Sequence, residues 1–233
     1  MEQPQQINNT SERLVDDLKS RLSTQSRISI AAASFSIYAF EAMKAELEKV
    51  EEMRFIFTSP TFVADKTKKE KREFYIPKLN RERNLYGTEF EIKLRNQLSQ
   101  KAIAKECAAW IRKKVKFKSN SSQEGMGGFL HLCDGEPSAL PVFDMNVPSK
   151  QHVYLPFDDF STTQLGCEKG NNVYTMVNVL PSPSAEAYLQ IFNQQWENDE
   201  KFKDVTARVL EYIETVYQEN APCLLYTSDA ADE

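Results

Sequence analysis

The stretch RISIAAASFSIYAFEAMKAELEKVEEMRFIFTSP, residues 27–60, decides the fold predicted for this chain. It begins with an apolar run of strand length at residues 27–36 and closes with a second one, MRFIFTSP, at residues 53–60. Between the two runs, four apolar side chains share one helical face: Ile37, Phe40, Met43 and Leu47. Ser36 directly precedes that helix and is suited to cap it. Strand, helix and strand in about 30 residues predict a βαβ unit with parallel strands, and hence an α/β fold.

Helical and strand patterns continue on both sides of this unit. Upstream, residues 11–23 show the apolar spacing of an amphipathic helix. Downstream, residues 88–114 carry an approximate helical stripe, which predicts one long helix or two short ones. VKFKSN at residues 115–120 alternates as a half-exposed strand does. Residues 119–172 are rich in Gly, Pro, Ser, Asn and Asp, and they predict short strands separated by loops.

The C-terminal part of the chain returns to regular patterns. VYTMVNVL at residues 173–180 has the composition of a strand. Ser182 is then a candidate helix cap, with Pro183 at the first helical position. Two amphipathic helices follow, with apolar residues at helical spacing: Tyr188, Ile191, Phe192 and Trp196, then Phe202, Val205, Val209, Ile213 and Val216.

The composition is that of an ordinary globular protein with one good-sized core. The chain has 233 residues, of which 41% are hydrophobic and 27% are charged. Residues 1–13 lack the regions of a signal peptide, and no apolar run approaches the roughly 18 residues of a membrane span. We therefore expect a cytoplasmic protein without a membrane partner. Scattered cysteines predict buried or incidental thiols, not a disulfide framework or a zinc site: Cys107, Cys133, Cys167 and Cys223.

Charge is divided unevenly along the chain. Residues 64–118 hold 17 Lys and Arg against 7 Asp and Glu, a net charge of +10. The rest of the chain holds 12 Lys and Arg against 27 Asp and Glu, a net charge of −15. This asymmetry predicts an anionic partner for the basic part, or an internal partner of opposite sign. In KTKKEKREFYIPKLNRER, residues 66–83, Phe74 and Tyr75 stand among the cations, which suits a surface that neutralises phosphates and stacks on bases. A merely solvated charged face is the competing interpretation.

Common catalytic signatures are missing from the sequence. None of the seven glycines is followed by lysine, so there is no Walker loop for phosphate, and neither H-E-x-x-H nor G-x-S-x-G occurs. The two histidines, His131 and His152, are the only candidates for histidine chemistry. Asp134 and Glu136 lie near His131 in sequence, but a structural or exposed role is the favoured interpretation of each histidine.

Four long strings resemble a known family. They are LKSRLSTQSRISIAAASFSIYAFEAMKAEL, RFIFTSPTF, KKEKREFYIPKLNRERNLYGTEFEIKLRNQLSQKAIAKECAAWIRKKVKFKSN and NDEKFKDVTARVLEYIETVYQEN. Together they resemble the amino-terminal region of large bacterial Swi/Snf-type ATP-dependent DNA helicases, those that begin with a phospholipase-D-like domain. The resemblance covers nearly all of residues 14–220.

The resemblance implies a fold and a domain organisation. Residues 1–180 would form a phospholipase-D-like α/β domain with a mixed, largely parallel sheet flanked by helices. Residues 181–222 would add C-terminal helices that lead to an ATPase motor beyond this chain. ATP and Mg²⁺ are expected only in that motor, so no cofactor is expected in this fragment. CLLYTSDAADE, residues 223–233, back-translates to what looks like the reverse complement of a transposase-adapter end, and we expect it to be translated sequencing adapter.

The resemblance also implies a test of hydrolase chemistry. Active members of the phospholipase-D superfamily carry H-x-K-x-x-x-x-D, in which His attacks phosphorus and Lys stabilises the phosphoryl charge. Cys133 stands two residues after His131, where that lysine is required. Tyr154 stands at the same distance after His152. Neither histidine therefore has its lysine.

The resemblance implies that GMGGFLHL, residues 125–132, lies roughly where the motif would fall in a phospholipase-D-like half. Gly127 and Phe129 then stand where His and Lys are expected. The resemblance thus implies a domain that has kept the fold and lost the hydrolase. We expect neither a catalytic residue nor a metal site in this chain.

Resemblance and charge together predict a non-catalytic accessory domain that engages DNA for its parent helicase. The predicted nucleic-acid contacts are ten cations: Lys66, Lys68, Lys69, Lys71, Arg72, Arg81, Arg83, Arg112, Lys113 and Lys114. DNA and the chain's own downstream ATPase are the expected partners. Two alternatives stay open: a phospholipase-D-like nuclease that uses His131 or His152 with unorthodox partners, and a regulatory module whose basic region docks on an acidic surface of the ATPase.

Overall fold

Strands and helices alternate along most of the described chain. The computed structural model describes residues 3–59, 97–122, 125–135, 150–167 and 176–218. The strands in these ranges are β1 (Gln5–Ile7), β2 (Ser26–Ala32), β3 (Ser34–Phe35), β4 (Glu52–Phe57), β5 (Val115–Asn120), β6 (Phe129–Asp134), β7 (Lys150–Leu155), β8 (Asp159–Phe160), β9 (Val177–Pro181) and β10 (Phe202–Asp204). The helices are α1 (Leu14–Arg21), α2 (Ile37–Leu47), α3 (Gln97–Lys114), α4 (Ser184–Glu197) and α5 (Thr206–Gln218). None of these helices is both long and apolar enough to cross a bilayer.

Eight of the strands form one mixed sheet in the order β1-β9-β7-β6-β2-β4-β5-β10. The pairings β2–β4 and β4–β5 are parallel, and the other five are antiparallel. β3 and β8 form a separate two-stranded pair. The prediction of an α/β fold with a mixed sheet is therefore confirmed. The prediction of a largely parallel sheet is wrong for the described strands, which pair mostly antiparallel.

The connections between strands explain these directions. Parallel neighbours need a crossover connection, and α2 joins β2 to β4 while α3 runs directly into β5. The predicted βαβ unit is therefore present, with Arg27 opposite Glu52 at one end and Ala32 opposite Phe57 at the other. β6 and β7 come from the part of the sequence without a helical pattern, and they extend the sheet from β2 with antiparallel pairings.

Helices cover both faces of the sheet. α1, α2, α3 and α5 supply the larger core together with strand residues such as Phe55 and Phe117. α4 packs on the other face, across β2, β6, β7 and β9. Phe129, Val153 and Phe192 are buried there in a second, smaller core. The sheet is thus the middle layer of three, and a side chain on it faces either α4 or the larger helical layer.

The predicted helices are confirmed where the structure describes them. α1 lies within the first amphipathic pattern, residues 11–23. Ser36 caps α2 as predicted, because its Oγ accepts hydrogen bonds from the backbone N–H of Tyr38 at 3.2 Å and of Ala39 at 3.4 Å. α3 is one continuous helix from Gln97, and the earlier part of its predicted pattern lies outside the described residues.

The predicted cap of α4 is wrong. The helix begins at Ser184 with Pro183 at the N-cap position, so Pro183 is not the first helical residue. β9 continues through Pro181, and Ser182 therefore lies in the turn between strand and helix. Its Oγ is buried without a hydrogen-bond partner in the part of the chain that the structure describes. A Ser-Pro pair before an apolar pattern indicated the helix but not its first residue.

Residues 181–218 make close contacts with the rest of the described chain. β10 pairs antiparallel with β5, with Phe202 opposite Asn120, although the apolar spacing had assigned Phe202 to the last helix. α5 begins after that strand and packs along α3. These contacts do not test the predicted domain boundary after residue 180, which stays a prediction. Residues 223–233 lie outside the described residues.

Candidate functional site

The basic end of α3 is the described part of the predicted DNA-contacting surface. Arg112, Lys113 and Lys114 occupy the last turn of this helix. Cations at this position also stabilise the partial negative charge of a helix C-terminus. The other seven predicted contacts, between residues 66 and 83, lie outside the described residues. The structure therefore describes three of the ten cations and shows that their environments differ.

Lys114 holds two helices together. Its Nζ donates hydrogen bonds to the backbone carbonyl of Glu48 at 2.8 Å and to that of Val50 at 2.6 Å. Both carbonyls lie just after the last residue of α2, where helix carbonyls lack partners within the helix. Lys114 therefore has a structural role that the charge pattern alone did not predict.

The remaining cations at this end differ in exposure and pairing. The guanidinium of Arg112 pairs with the carboxylate of Glu214 in α5. Lys113 is exposed and takes part in none of the ion pairs between described residues. Lys116, two positions into β5, is exposed as well. The junction of α3 and β5 thus presents Lys113 and Lys116 to solvent.

Lys118 lies on the same face of β5 as Lys116 but is buried. Its side chain is 11% exposed, and its Nζ donates to the backbone carbonyl of Trp196 at 2.6 Å and to Oδ1 of Asp199 at 2.5 Å. The hydrogen bond from Lys118 lowers the pKa of Asp199. Nζ also lies 5.3 Å from the centroid of the Trp196 ring. Lys118 therefore fastens β5 to the end of α4.

His131 is a buried ring on the face that α4 covers. It is 1% exposed, and its Nε2 lies 3.2 Å from Oε1 of Gln151. Burial lowers the pKa of His131 to about 4, so the ring is neutral near pH 7. With Oε1 as the acceptor, Nε2 carries the proton, and Nδ1 has no hydrogen-bond partner among the described residues. Such a ring fits a structural role better than a role in proton transfer.

His152 belongs to a separate buried network. Its Nε2 accepts a hydrogen bond from Nη1 of Arg21 at 2.8 Å, because a guanidinium can only donate. Nε of Arg21 in turn donates to Oδ1 of Asp17 at 3.0 Å. The hydroxyl of Tyr154 donates to Oδ2 of the same carboxylate at 2.7 Å, and burial raises the pKa of Tyr154 well above its usual value. This network joins α1 to β7.

The position where the resemblance expects a catalytic lysine is filled by a packed aromatic ring. Gly127 precedes β6, and Phe129 begins that strand with 4% of its surface exposed. The centroid of the Phe129 ring lies 5.1 Å from that of Tyr188 and 6.3 Å from that of Phe192, both in α4. α4 therefore closes over this position.

The described cysteines are thiols without disulfide bonds. Cys107 and Cys133 are buried, and Cys167 is half-buried. Burial raises the pKa of the Cys107 and Cys133 thiols, which keeps both protonated at neutral pH. Cys107 and Cys133 are therefore the buried thiols that their scattered spacing predicted.

A polar cavity of about 260 Å³ lies where β5 ends, beside the last turn of α4. Amide, hydroxyl and ammonium side chains supply much of its lining: Asn120, Ser122, Gln194, Gln195, Asn198 and Lys201. Nδ2 of Asn120 donates to the carbonyl of Thr58 at 3.2 Å, which ties the end of β5 to the end of β4. The cavity therefore lies at the carboxyl ends of two parallel strands.

This cavity was missed by sequence reasoning. Asn, Gln and Ser side chains have no spacing signature, and the two parts of the lining are far apart in the chain. The one local signal is the run of amides NQQ at residues 193–195.

Comparisons with known proteins identify no family. No protein-family model matches the chain, and no curated protein matches it significantly. The described ranges also contain no group of three or more His, Cys, Asp or Glu side chains that could hold a metal ion. Proposals about function therefore rest on the geometry and charge of the residues themselves.

Proposed function

We propose that this chain is a non-catalytic accessory domain of phospholipase-D-like fold that helps a Swi/Snf-type ATP-dependent helicase engage DNA. The observation that carries the proposal is the segregation of charge. Residues 64–118 hold a net charge of +10, and the described end of this segment exposes Lys113 and Lys116. A surface of this kind binds DNA by releasing counterions from the phosphates.

The arrangement of the histidines supports the non-catalytic part of the proposal. Nucleophilic phosphoryl chemistry needs the attacking group and its partners at one phosphorus atom. His131 and His152 are both buried, and each is held in a different network. Phe129 is packed under α4 at the position of the expected lysine. None of these three side chains is available to a phosphodiester without rearrangement.

The layered architecture supports the phospholipase-D-like part. A parallel β2–β4–β5 unit, continued by antiparallel strands and covered by helices on both faces, is compatible with such a domain. Hydrolysis of ATP, with its Mg²⁺, would belong to the motor of the parent helicase. The role of this chain would then be to position that motor on DNA.

A salt series of DNA binding tests the proposal. We expect the chain to bind duplex DNA at low salt and to lose roughly a thousandfold or more in affinity between about 50 and 200 mM salt if six or more phosphates are contacted. Changing Lys66, Lys68, Lys69 and Lys71 together to Gln should lower both the affinity and the salt slope. Lys49→Gln, an exposed lysine outside the basic segment, is the matched control and should change neither. Absence of binding at low salt would overturn the proposal.

The nuclease alternative is tested on the same samples. Strand cleavage by the wild-type chain should be absent under conditions where DNA binds. If cleavage is observed and falls in His131→Ala or His152→Ala, the chain is an enzyme and the non-catalytic proposal is wrong. Loss of folding in these variants is recognised by circular dichroism, because both rings are buried.

The regulatory module is a second candidate, favoured by one contact. Arg112 in the basic end of α3 already pairs with Glu214, so this end of the helix accepts a carboxylate. Competition between DNA and the separately expressed ATPase separates the two roles. DNA that is displaced by the ATPase favours docking on the motor, whereas DNA that stays bound favours the accessory role.

A further inference from the structure

We infer that the cavity at the carboxyl ends of β4 and β5 binds one unpaired nucleobase. We expect that base to belong to a nucleic-acid strand held by the basic segment, so this role rests on the proposed function. A free nucleotide offers the same chemistry, and separate binding measurements with strands and with nucleoside monophosphates distinguish the two sources.

The position of the cavity is the first support. Loops at the ends of rigid strands and helices are common places for ligand sites. β4 and β5 are parallel neighbours, and Asn120 at the end of β5 both lines the cavity and bonds to Thr58 just after β4. A cavity of about 260 Å³ lies slightly below the roughly 300–1,000 Å³ of drug-sized sites, which suits a single base.

The chemistry of the lining is the second support. Four carboxamides line the cavity: Asn120, Gln194, Gln195 and Asn198. A carboxamide presents a donor beside an acceptor, the pattern that Asn and Gln use to read the edge of a base. Met126 and Phe202 add a thioether and an aromatic ring, which suit contact with the flat face of a heterocycle.

Two of the amides build the wall of the cavity. Oδ1 of Asn120 accepts hydrogen bonds from the backbone N–H of Ser122 at 2.9 Å and from its Oγ at 2.7 Å. Oδ1 of Asn198 accepts from the backbone N–H of Glu200 at 3.2 Å and of Lys201 at 3.1 Å. Their oxygens are therefore occupied, and these residues fix the shape of the site.

The other two amides are the candidates to read the base. Gln194 is exposed at the cavity, and no hydrogen bond of its side chain is found within the described part of the chain. Oε1 of Gln195 is buried without a hydrogen-bond partner among the described residues. A buried polar atom without a partner calls for an explanation, and a donor supplied by a ligand is one that fits an amide lining a cavity.

The charges around the cavity favour a neutral base over a phosphate inside it. α4 ends beside the cavity, and a helix C-terminus carries partial negative charge that repels anions. Lys118 already occupies one of the last carbonyls of this helix, that of Trp196. Lys201 contributes a single cation to the lining, which suits the phosphate that adjoins a base.

Binding of fluorescent single strands tests this site. The probes are a short single strand with intact bases, the same sugar–phosphate strand without bases, and a duplex. Gln194→Leu combined with Gln195→Leu should weaken binding of the intact strand about tenfold and leave the duplex and the base-free strand unchanged. The salt slope should also stay unchanged, because no phosphate contact is removed. Gln190→Leu, an exposed glutamine of α4 away from the lining, is the matched control and should have no effect.

Nucleoside monophosphates distinguish the source of the base. If they shift the side-chain amide NMR signals of the wild-type chain but not of the Gln194→Leu variant, the cavity accepts a free nucleotide. If only strands bind and their binding depends on bases and on Gln194, the base comes from a strand. If intact and base-free strands bind equally and the monophosphates shift no amide signals, the base-binding site is wrong. Salt-dependent DNA binding, and with it the proposed function, could still hold in that case. If nucleotides bind but DNA does not, the proposed function is wrong, while the inference that the cavity binds a base still stands.

Discussion

His131 and His152 lie on adjacent strands but project to opposite faces of the sheet. In the antiparallel register of β6 and β7, His152 is opposite Leu132, and His131 is opposite Val153. Because successive side chains of a strand alternate in direction, His131 faces α4 and His152 faces the larger helical layer. Each ring therefore has partners of its own, an amide for the first and a guanidinium for the second.

Burial of His131 makes the stability of the fold depend on pH. Its pKa of about 4 lies below the ordinary histidine value, so the unfolded chain takes up a proton first as the pH falls. Its contribution to the free energy of unfolding is therefore fully present above about pH 6.5 and is lost as the pH falls towards about 4. The loss should amount to roughly 3 kcal/mol, measured by urea unfolding across this range.

His131→Leu is the control for this pH dependence. The variant has no titrating ring at the site, so the difference in free energy of unfolding between wild type and variant should itself change with pH between about 4 and 6.5. Carboxylates elsewhere titrate in both proteins and cancel in that difference. A difference that stays constant over this range would show that His131 is not held neutral by burial.

Two neighbouring aspartates of α1 should differ sharply in their importance for stability. Asp17 is 7% exposed and accepts hydrogen bonds from Arg21 and Tyr154. Asp17→Ala leaves both partners without their carboxylate, so we expect a loss of about 3 kcal/mol in the free energy of unfolding. Asp16 pairs with Arg13, and both side chains are about half exposed. Asp16→Ala should therefore cost at most about 1 kcal/mol. Equal losses in urea unfolding would contradict the buried network.

The part of the fold that could be predicted is the part held by local pattern. The βαβ unit of residues 27–57 was predictable, because apolar runs of strand length flank a helical stripe there. β1 and β10 were not, since each is three residues long and exists only through pairing with a distant strand. The directions of β6, β7 and β9 were not predictable either, and their three antiparallel pairings, with those of β1 and β10, make the sheet mostly antiparallel.

The candidate site could be predicted only in its charge. The excess of cations in residues 64–118 is visible in the sequence, but the role of each cation is not. Lys118 donates to a backbone carbonyl 78 residues away in the chain, and Lys114 donates to one 64 residues away. No local sequence pattern indicates contacts over such separations. The amide-lined cavity was missed for the same reason, because tertiary contact alone brings its two parts together.

Two lysines on the same face of β5 provide a test of the contact between β5 and α4. Lys118→Met keeps a side chain of similar length but makes it apolar. It therefore removes the donor to the carbonyl of Trp196 and to Asp199. We expect a loss of about 1–3 kcal/mol in the free energy of unfolding, with faster hydrogen exchange at the end of α4. Lys116→Met, at an exposed position, should stay within about 0.5 kcal/mol of wild type. Similar losses in the two variants would contradict the anchoring role of Lys118.

Lys113 and Lys114 are adjacent, yet DNA binding and stability should separate them. Lys113 is exposed, so Lys113→Gln should weaken DNA binding and reduce the magnitude of the salt slope by about 1, with stability unchanged. Lys114→Gln replaces the ammonium that donates to the carbonyls of Glu48 and Val50 with a shorter, neutral amide, so it should lower the free energy of unfolding by about 1–2 kcal/mol. Filter binding across a salt series and urea unfolding measure the two effects on the same samples. A Lys114→Gln variant that kept its stability but lost DNA affinity as Lys113→Gln does would mean that Lys114 belongs to the interface and not to the packing of α3 on α2.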